Sequence, residues 1–141
     1  IWDGVLSAGR AIFGVATDDS HNYKDFHPGM SNPGRGWVVV HAEELVSEAI
    51  VEGLASGNFY ASTGVELTDL QSSSEAVSLR IEQQSDFVYT TSFIGRDGKT
   101  HAETTGLEAS YEPTGDECYI RAVVKSSSGG KAWTQPVFLP G

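Results

Sequence analysis

The chain has a single cysteine, few basic residues and no long apolar run. Its 141 residues include 9 Lys and Arg against 19 Asp and Glu, which gives a net charge of −10. This charge disfavours contact with a phosphate backbone, so no nucleic-acid partner is expected. The lone Cys118 excludes an internal disulfide and slightly favours a reducing cytoplasm, without fixing the location. No apolar run approaches the roughly 20 residues that span a bilayer, so no membrane partner is expected.

The first half of the chain combines apolar runs with helical periodicity. The pattern predicts a helix, two strands, a second helix and a third strand, in the order 1–10, 11–16, 37–41, 42 or 47 to 56, and 58–62. Continuous apolar runs of strand length are typical of strands covered on both faces. The Pro- and Gly-rich residues 18–36 predict a loop between the first two strands, and a loop of this length is often functional.

The second half of the chain alternates apolar and polar residues with period two. Short runs of this kind, separated by turns such as Asp97-Gly98, predict a small antiparallel β-sandwich. The alternation places six residues in its core: Val77, Leu79, Ile81, Ile120, Ala122 and Val124. The predicted fold class is therefore an α/β segment followed by a small antiparallel β-sandwich. The predicted domains are residues 1–65 and residues 66–141.

Asp19 and His21 follow the first apolar run and are separated by one residue. In extended backbone, residues two apart point the same way, so the carboxylate and the imidazole would reach one point in space. Such a pair suits a divalent metal such as zinc, manganese or iron. The alternative is a capped turn, in which Asp and Ser side chains accept hydrogen bonds from nearby backbone donors.

Four further residues are candidates for contact with a substrate. Arg10 and Arg35 would bind an anionic group through the planar guanidinium, or they are structural or solvated. Ser62 and Thr63 lie at a strand end, where α/β ligand sites collect, or they form a turn. The sequence favours neither alternative for this pair.

The other histidines and the aromatic residues of the second half carry weaker predictions. His27 is expected to be a solvated loop residue or to supply an outer contact to the metal, His41 is expected to be a surface or packing residue, and His101 is expected to be exposed after a turn. Tyr111, Tyr119 and Trp133 would form a sugar-binding face or belong to an aromatic core.

The series of segments from Trp2 to Gly64 resembles the C-terminal part of PHP-superfamily metal-dependent hydrolases, of the CehA/McbA-like branch. The resemblance covers roughly residues 1–70 and includes the segment Thr17-Asp18-Asp19-Ser20-His21. It implies that Asp19 and His21 match the Asp and His of the family's fourth motif, which bind the catalytic metals. Asp18 stands where the family more often has a small polar residue, so it is not expected to be a ligand. The later residues resemble the all-β extension of that branch.

The family's early His-x-His motif and its other His and Glu ligands are not in this sequence, which begins at Ile1. We therefore expect the C-terminal fragment of a phosphoesterase-like hydrolase, inactive alone, whose parent acts on a small-molecule substrate. The resemblance implies a divalent metal (Mn, Zn or Fe) in the intact parent, with weak or absent binding in the fragment. The alternative is a non-catalytic β-sandwich that binds another molecule, such as a carbohydrate.

Overall fold

The computed structural model describes residues 1–140. Its helical segments are α1 (Trp2–Ser7), α2 (Ser47–Ser56) and the short 3₁₀ turn Arg96–Gly98. Its strands are β1 (Trp37–Val40), β2 (Phe59–Ser62), β3 (Leu67–Ser72), β4 (Val77–Ile81), β5 (Tyr89–Ile94), β6 (Thr100–Thr105), β7 (Glu108–Tyr111), β8 (Tyr119–Ser126), β9 (Lys131–Thr134) and β10 (Val137–Phe138). Within these residues, no helix has the length and apolar character needed to cross a membrane.

The strands form two antiparallel sheets. The larger sheet has the order β1-β2-β9-β8-β5-β6, with β10 paired to the start of β8, and the smaller sheet has the order β3-β4-β7. The predicted antiparallel β-rich architecture is therefore confirmed. The larger sheet continues across residue 65, because β2 pairs with β9 and Tyr60 lies opposite Thr134. The domain boundary at residue 65 stays a prediction.

The core lies between the two sheets. All six residues predicted for it are buried and belong to one apolar cluster, which also contains Tyr89 and Phe93 of β5. Each buried aliphatic side chain contributes roughly 1.5–3 kcal/mol to stability. The alternation of period two thus identified the central strands of both sheets.

The helix predicted over residues 47–56 is confirmed, and it begins one residue after Val46. Ser47 is its first helical residue and not its N-cap. The helix ends at Gly57, whose φ is 78°, in the left-handed region that glycine tolerates best. A Cβ at Gly57 would lie 2.4 Å from the Phe13 ring, so this position also needs glycine for space.

The predicted strand over residues 11–16 is wrong, because residues 8–36 contain no helix or strand. The side chain of Gln135 holds this segment instead. Its Oε1 accepts a hydrogen bond from the Gly14 N–H and its Nε2 donates one to the Gly14 carbonyl, both at 2.8 Å. The amide of Gln135 therefore makes the two backbone hydrogen bonds of Gly14 that a neighbouring strand would otherwise make. The apolar run has no strand beside it that would extend this pairing.

A carboxylate fastens α1 to the larger sheet. Asp3 accepts hydrogen bonds from Tyr119 Oη at 2.7 Å, from Arg121 Nε at 3.0 Å and from the same guanidinium's NH2 at 2.9 Å. The guanidinium also lies 4.7 Å from the centre of the Trp2 ring. Burial raises the pKa of Asp3, but the bonds from Arg121 and Tyr119 outweigh it and hold the pKa below its usual value. These contacts place α1 on one face of β8, and the smaller sheet covers its other face.

Replacing Asp3 with Asn should loosen α1 from the sheet. The amide cannot accept two hydrogen bonds from the guanidinium, so the mostly buried Arg121 would lose its charged partner. We expect the free energy of unfolding in urea to fall by about 1–3 kcal/mol. Asp97→Asn is the matched control, since Asp97 is exposed and its left-handed backbone suits asparagine. Equal effects of the two substitutions would contradict the role of the ion pair.

Candidate metal site

Residues 18–36 form a loop whose two ends lie together. The backbone of Gly36 packs against the backbone of Thr17, and a Cβ at Gly36 would lie 2.9 Å from the Thr17 carbonyl oxygen. This closed form, without helix or strand, is that of a long Ω-loop, since its nineteen residues exceed the usual range of about 6–16. We refer to residues 18–36 as the Ω-loop below. It contains Asp19 and His21 near its start.

The side chain of Asn32 organises the interior of the Ω-loop. Its Nδ2 donates to the carbonyl oxygens of Asn22 and Asp25, both at 2.9 Å, and its Oδ1 accepts from the His27 N–H at 3.2 Å. Asn32 is only 5% exposed, although most of the loop around it faces solvent. It therefore supplies hydrogen-bond partners to three backbone groups that have no neighbouring strand to pair with. Sequence reasoning did not single out Asn32.

The ring of His21 is oriented by the backbone. Its Nδ1 lies 2.8 Å from the carbonyl oxygen of Asp19, and a carbonyl only accepts hydrogen bonds. Nδ1 therefore carries the proton of the neutral ring, and Nε2 keeps its lone pair. The ring is exposed and makes no other hydrogen bond within residues 1–140. A carbonyl on one ring nitrogen, with the other nitrogen open, is the arrangement typical of metal-binding histidines.

The two neighbouring aspartates differ in what they contact. Asp18 accepts a hydrogen bond from the Gly34 N–H at 2.6 Å through Oδ2, so it joins the two sides of the Ω-loop. The carboxylate of Asp19 is exposed and makes no hydrogen bond in the described part of the chain. Asp19 has a φ of 47°, a left-handed conformation that aspartate adopts more readily than most residues. The capped turn considered for this segment is not formed, because Asp18 accepts from a donor sixteen residues away and Ser20 donates to the Ser31 carbonyl.

Asp19 and His21 supply only part of a metal site. No group of three or more His, Cys, Asp or Glu side chains is placed to hold a metal ion in residues 1–140. Zinc sites usually have three or four protein ligands. The carboxylate of Asp19 and Nε2 of His21 have the chemistry that a divalent cation needs. The left-handed backbone at Asp19, however, is not the extended backbone on which their predicted convergence rested.

The predicted substrate-binding residues lie in different surroundings. Arg35 belongs to the Ω-loop and donates to the carbonyl oxygens of His27 and Pro28, at 3.0 and 3.4 Å. Arg10 is exposed and makes no side-chain hydrogen bond within the described residues. Ser62 is buried and donates to the Val65 carbonyl at 2.7 Å, which forms the turn after β2.

Thr63, the fourth of these residues, is exposed, and its Oγ1 accepts from the Lys131 N–H at 3.1 Å. It therefore links the turn after β2 to β9. Of the four predicted substrate contacts, only Arg35 lies in the same loop as Asp19 and His21.

The remaining predictions have mixed outcomes. The Nδ1 of His27 accepts from the Gly29 N–H at 3.1 Å, so the neutral ring carries its proton on Nε2, the reverse of His21. Tyr119 is fully buried and the Tyr111 ring stacks on Phe93, so these two residues belong to the aromatic core and not to an exposed sugar-binding face. The prediction that His101 is exposed is wrong, because it is half-buried beside Tyr111.

A cavity of about 390 Å³ lies at the base of the Ω-loop. It is lined by Trp2, residues 14–17, Ala61 and Trp133. Thr17 is the last residue before the loop. The cavity therefore provides largely apolar space beside the start of the segment that presents Asp19 and His21.

A second titratable cluster surrounds the buried carboxylate of Glu117. It accepts hydrogen bonds from Tyr111 Oη at 2.6 Å, from the N–H and Oγ1 of Thr114, both at 2.9 Å, and from the Gly115 N–H at 2.8 Å. Burial raises the pKa of Glu117, but these bonds outweigh it and lower the pKa to about 2. Burial and the same carboxylate raise the pKa of Tyr111 to about 12. Both oxygens are occupied by the protein, so the cluster is structural.

The comparisons with known protein families, with characterised proteins and with solved structures gave no significant match to this chain.

Replacing Glu117 with Gln should destabilise the connection between β7 and β8. The amide nitrogen would face the Gly115 N–H, so a donor would meet a donor. We expect a loss of about 1–3 kcal/mol in the free energy of unfolding at neutral pH. The folded-state pKa lies below the ordinary 4.5, so this contribution is present above pH 4.5 and lost as the pH falls toward about 2. Urea unfolding across that range, with the exposed Glu112→Gln as control, measures it; a difference that stays constant down to pH 2 would contradict it.

Replacing Asn32 with Ala should open the Ω-loop without unfolding the sheets. Three backbone groups would lose their partner, and the cost should be about 1–3 kcal/mol, confined to the loop. Amide hydrogen exchange at His21 and Asn22, whose N–H groups both donate to the Ser31 carbonyl, should accelerate at least several-fold. Asn22→Ala is the control, because Asn22 enters the network only through its backbone. If both variants exchange like the parent chain, Asn32 does not organise the loop.

Proposed function

We propose that this chain is the C-terminal part of a PHP-type, metal-dependent hydrolase of the phosphoesterase kind. In this proposal residues 1–65 belong to the catalytic α/β layer, and the β-rich remainder is its extension. Asp19 and His21 are two of the ligands for divalent metal (Mn, Zn or Fe), and the other ligands come from residues outside this sequence. The chain alone is inactive.

The observation that carries the proposal is the contact between His21 Nδ1 and the Asp19 carbonyl. It fixes the ring orientation and leaves the lone pair of Nε2 free to bind a metal. The exposed carboxylate of Asp19 lies two residues earlier in the chain. His27 lies six residues after His21 in the same loop. Its ring has the opposite tautomer, so neither ring nitrogen has a free lone pair. The distinction between these two histidines supports His21 as a ligand.

The residues of the Ω-loop have separate tasks in this proposal. Asn32 and Asp18 hold the loop closed, so Asp19 and His21 keep their spacing. A bound divalent cation would act as a Lewis acid, lowering the pKa of water and neutralising developing negative charge. Arg35 is held by hydrogen bonds to carbonyl oxygens of the same loop, and it supplies positive charge for an anionic ester. The cavity at the base of the loop would take an apolar part of the substrate.

Metal titration of the chain tests the two ligands directly. On addition of Zn²⁺ or Mn²⁺, we expect the side-chain resonances of His21 to respond by NMR, and those of His27 to stay unchanged. Asp19→Asn should weaken the response at least several-fold, because the amide keeps the shape but loses the charge. His27→Gln is the matched control and should leave the response as it is. A response centred on His27, or one that survives Asp19→Asn and His21→Gln together, would contradict the assignment.

The parent protein provides the test of activity. His21→Ala in the full-length protein should lower metal content and turnover and leave the melting temperature nearly unchanged, because an exposed loop residue contributes little to the core. Turnover of a phosphoester by the 141-residue chain alone would contradict the proposal. A parent without a His-x-His motif would favour the alternative, a non-catalytic β-sandwich that binds another molecule.

A further inference from the structure

A cleft lies between the two sheets, beside the edge strand β3. The smaller sheet has three strands and the larger has seven, so the smaller sheet cannot cover the whole of the larger one. The cleft has a volume of about 370 Å³ and is lined by Phe13, His41 and residues 56–59, 70–72 and 134–137. A neighbouring cavity of about 210 Å³ shares five of these residues. The cleft, called the inter-sheet cleft below, therefore has the size of a small-molecule site.

The inter-sheet cleft is polar but carries no acidic or strongly basic side chain. In the part of the chain that the structure describes, no Asp, Glu, Lys or Arg lines it, although these residue types make up 20% of the sequence. Its polar side chains are amides, hydroxyls and the imidazole of His41. A phosphate or carboxylate ligand is best recognised by a guanidinium or an ammonium group, and a cationic ligand by a carboxylate. The lining therefore favours an uncharged ligand that makes hydrogen bonds.

His41 and Asn58 are held beside each other in the inter-sheet cleft. The His41 N–H donates to the Asn58 carbonyl at 2.9 Å, and Asn58 Nδ2 donates to the His41 carbonyl at 3.2 Å. The Asn58 N–H donates in turn to the Gly53 carbonyl at 2.8 Å. Both residues are exposed, and within residues 1–140 neither ring nitrogen of His41 nor Oδ1 of Asn58 has a hydrogen-bond partner. The cleft therefore presents one donor and two acceptors whose backbone is already fixed.

The strand β3 adds a hydroxyl and an aliphatic side chain to the inter-sheet cleft. Leu70 lies opposite Leu79, and Ser72 lies opposite Val77. Residues directly opposite each other point to the same face, and Leu79 and Val77 belong to the core, so Leu70 and Ser72 point between the sheets. Ser72 is nevertheless exposed, and its hydroxyl makes no hydrogen bond in the described residues. The cleft therefore combines a free hydroxyl with apolar surface.

We propose that the inter-sheet cleft binds an uncharged polyhydroxylated small molecule, namely a sugar ring. The sugar hydroxyls pair with the imidazole of His41, with Oδ1 of Asn58 and with the hydroxyl of Ser72. The C–H groups of the ring contact Leu70 and the half-buried Phe13. Such a ligand uses both the hydrogen-bonding groups and the apolar surface of the cleft, and it needs no charged partner. Asp19 and His21 do not line the cleft, so this proposal does not depend on the proposed metal site.

An extended peptide is the other ligand that a strand edge can accept. The pairing of β3 with β4 is irregular between Leu67 and Asp69, so only residues 69–72 offer a regular edge. A stretch of four residues presents the outward backbone groups of only two, because these groups alternate along an edge strand. The free side-chain groups of the cleft therefore outnumber what this short edge gives a peptide, and we favour the sugar.

Titration of the chain with simple sugars, without added metal, tests the ligand class. Glucose, galactose and N-acetylglucosamine are added up to about 50 mM, and the backbone amide resonances are followed by NMR. We expect at least one sugar to shift the resonances of His41, Asn58 and residues 70–72 in a saturable way, with a dissociation constant of about 0.1–10 mM. Glucuronate and galacturonate should bind at least several-fold more weakly than their neutral counterparts.

Three results of this titration would overturn the proposal. The first is no saturable shift with any of the three neutral sugars. The second is equal or tighter binding of the two sugar acids. The third is a response of residues 70–72 to a hexapeptide of alanine and serine but to none of the sugars, which would assign the edge of β3 to peptide binding.

Two variants with matched controls test the assigned contacts. His41→Phe keeps a ring but removes both nitrogens, and it should raise the dissociation constant about 3- to 10-fold without changing urea unfolding. Ser72→Ala should raise it about 2- to 5-fold. The controls are His27→Phe, in the Ω-loop, and Ser74→Ala, an exposed residue outside the cleft. Binding that is unchanged in both test variants, or weakened equally in the controls, would contradict these contacts.

Discussion

The ion pair between Asp3 and Arg121 holds in place much of the structure that precedes β1. It ties α1 to the central strand β8, and it keeps the guanidinium against the Trp2 ring. Trp2 in turn donates to the Ile12 carbonyl and packs against Gly14. The position of the segment that leads into the Ω-loop therefore depends on a carboxylate sixteen residues before Asp19. Stability and site geometry are coupled here through one charged contact.

The parts of the fold that could be predicted are those in which burial imposes a pattern. Strands β4, β5 and β8 alternate because one face of each meets the core between the sheets. Strands β3, β6 and β7 were not predicted, because they are short or polar edge strands, as in the Thr-His-Ala-Glu-Thr-Thr of β6. The apolar run over residues 11–16 was wrongly predicted to be a strand, for a different reason. Apolar character reports burial, but a strand also requires a neighbour to pair with, and here Gln135 takes that place.

The candidate site divides along similar lines. The spacing of Asp19 and His21 marked the pair, because the identity of both residues carries the chemistry. The tautomer of His21 could not be read in the same way, since it depends on a backbone carbonyl that every residue possesses. Asn32 was missed for the same reason. All its hydrogen-bond partners are main-chain groups, which are the same whatever the residue types. Glu117 likewise accepts two of its four hydrogen bonds from main-chain N–H groups.

The meeting of Thr17 and Gly36 has a consequence for how this chain can change in evolution. Because the polypeptide leaves the body of the protein and returns at almost the same point, nineteen residues can be lengthened, shortened or exchanged without moving any strand. Doubling the length of such a segment costs only about 0.6 kcal/mol in closure entropy. The sheets can therefore serve as a constant frame on which new recognition properties are grafted, provided that glycine is kept where the two ends touch.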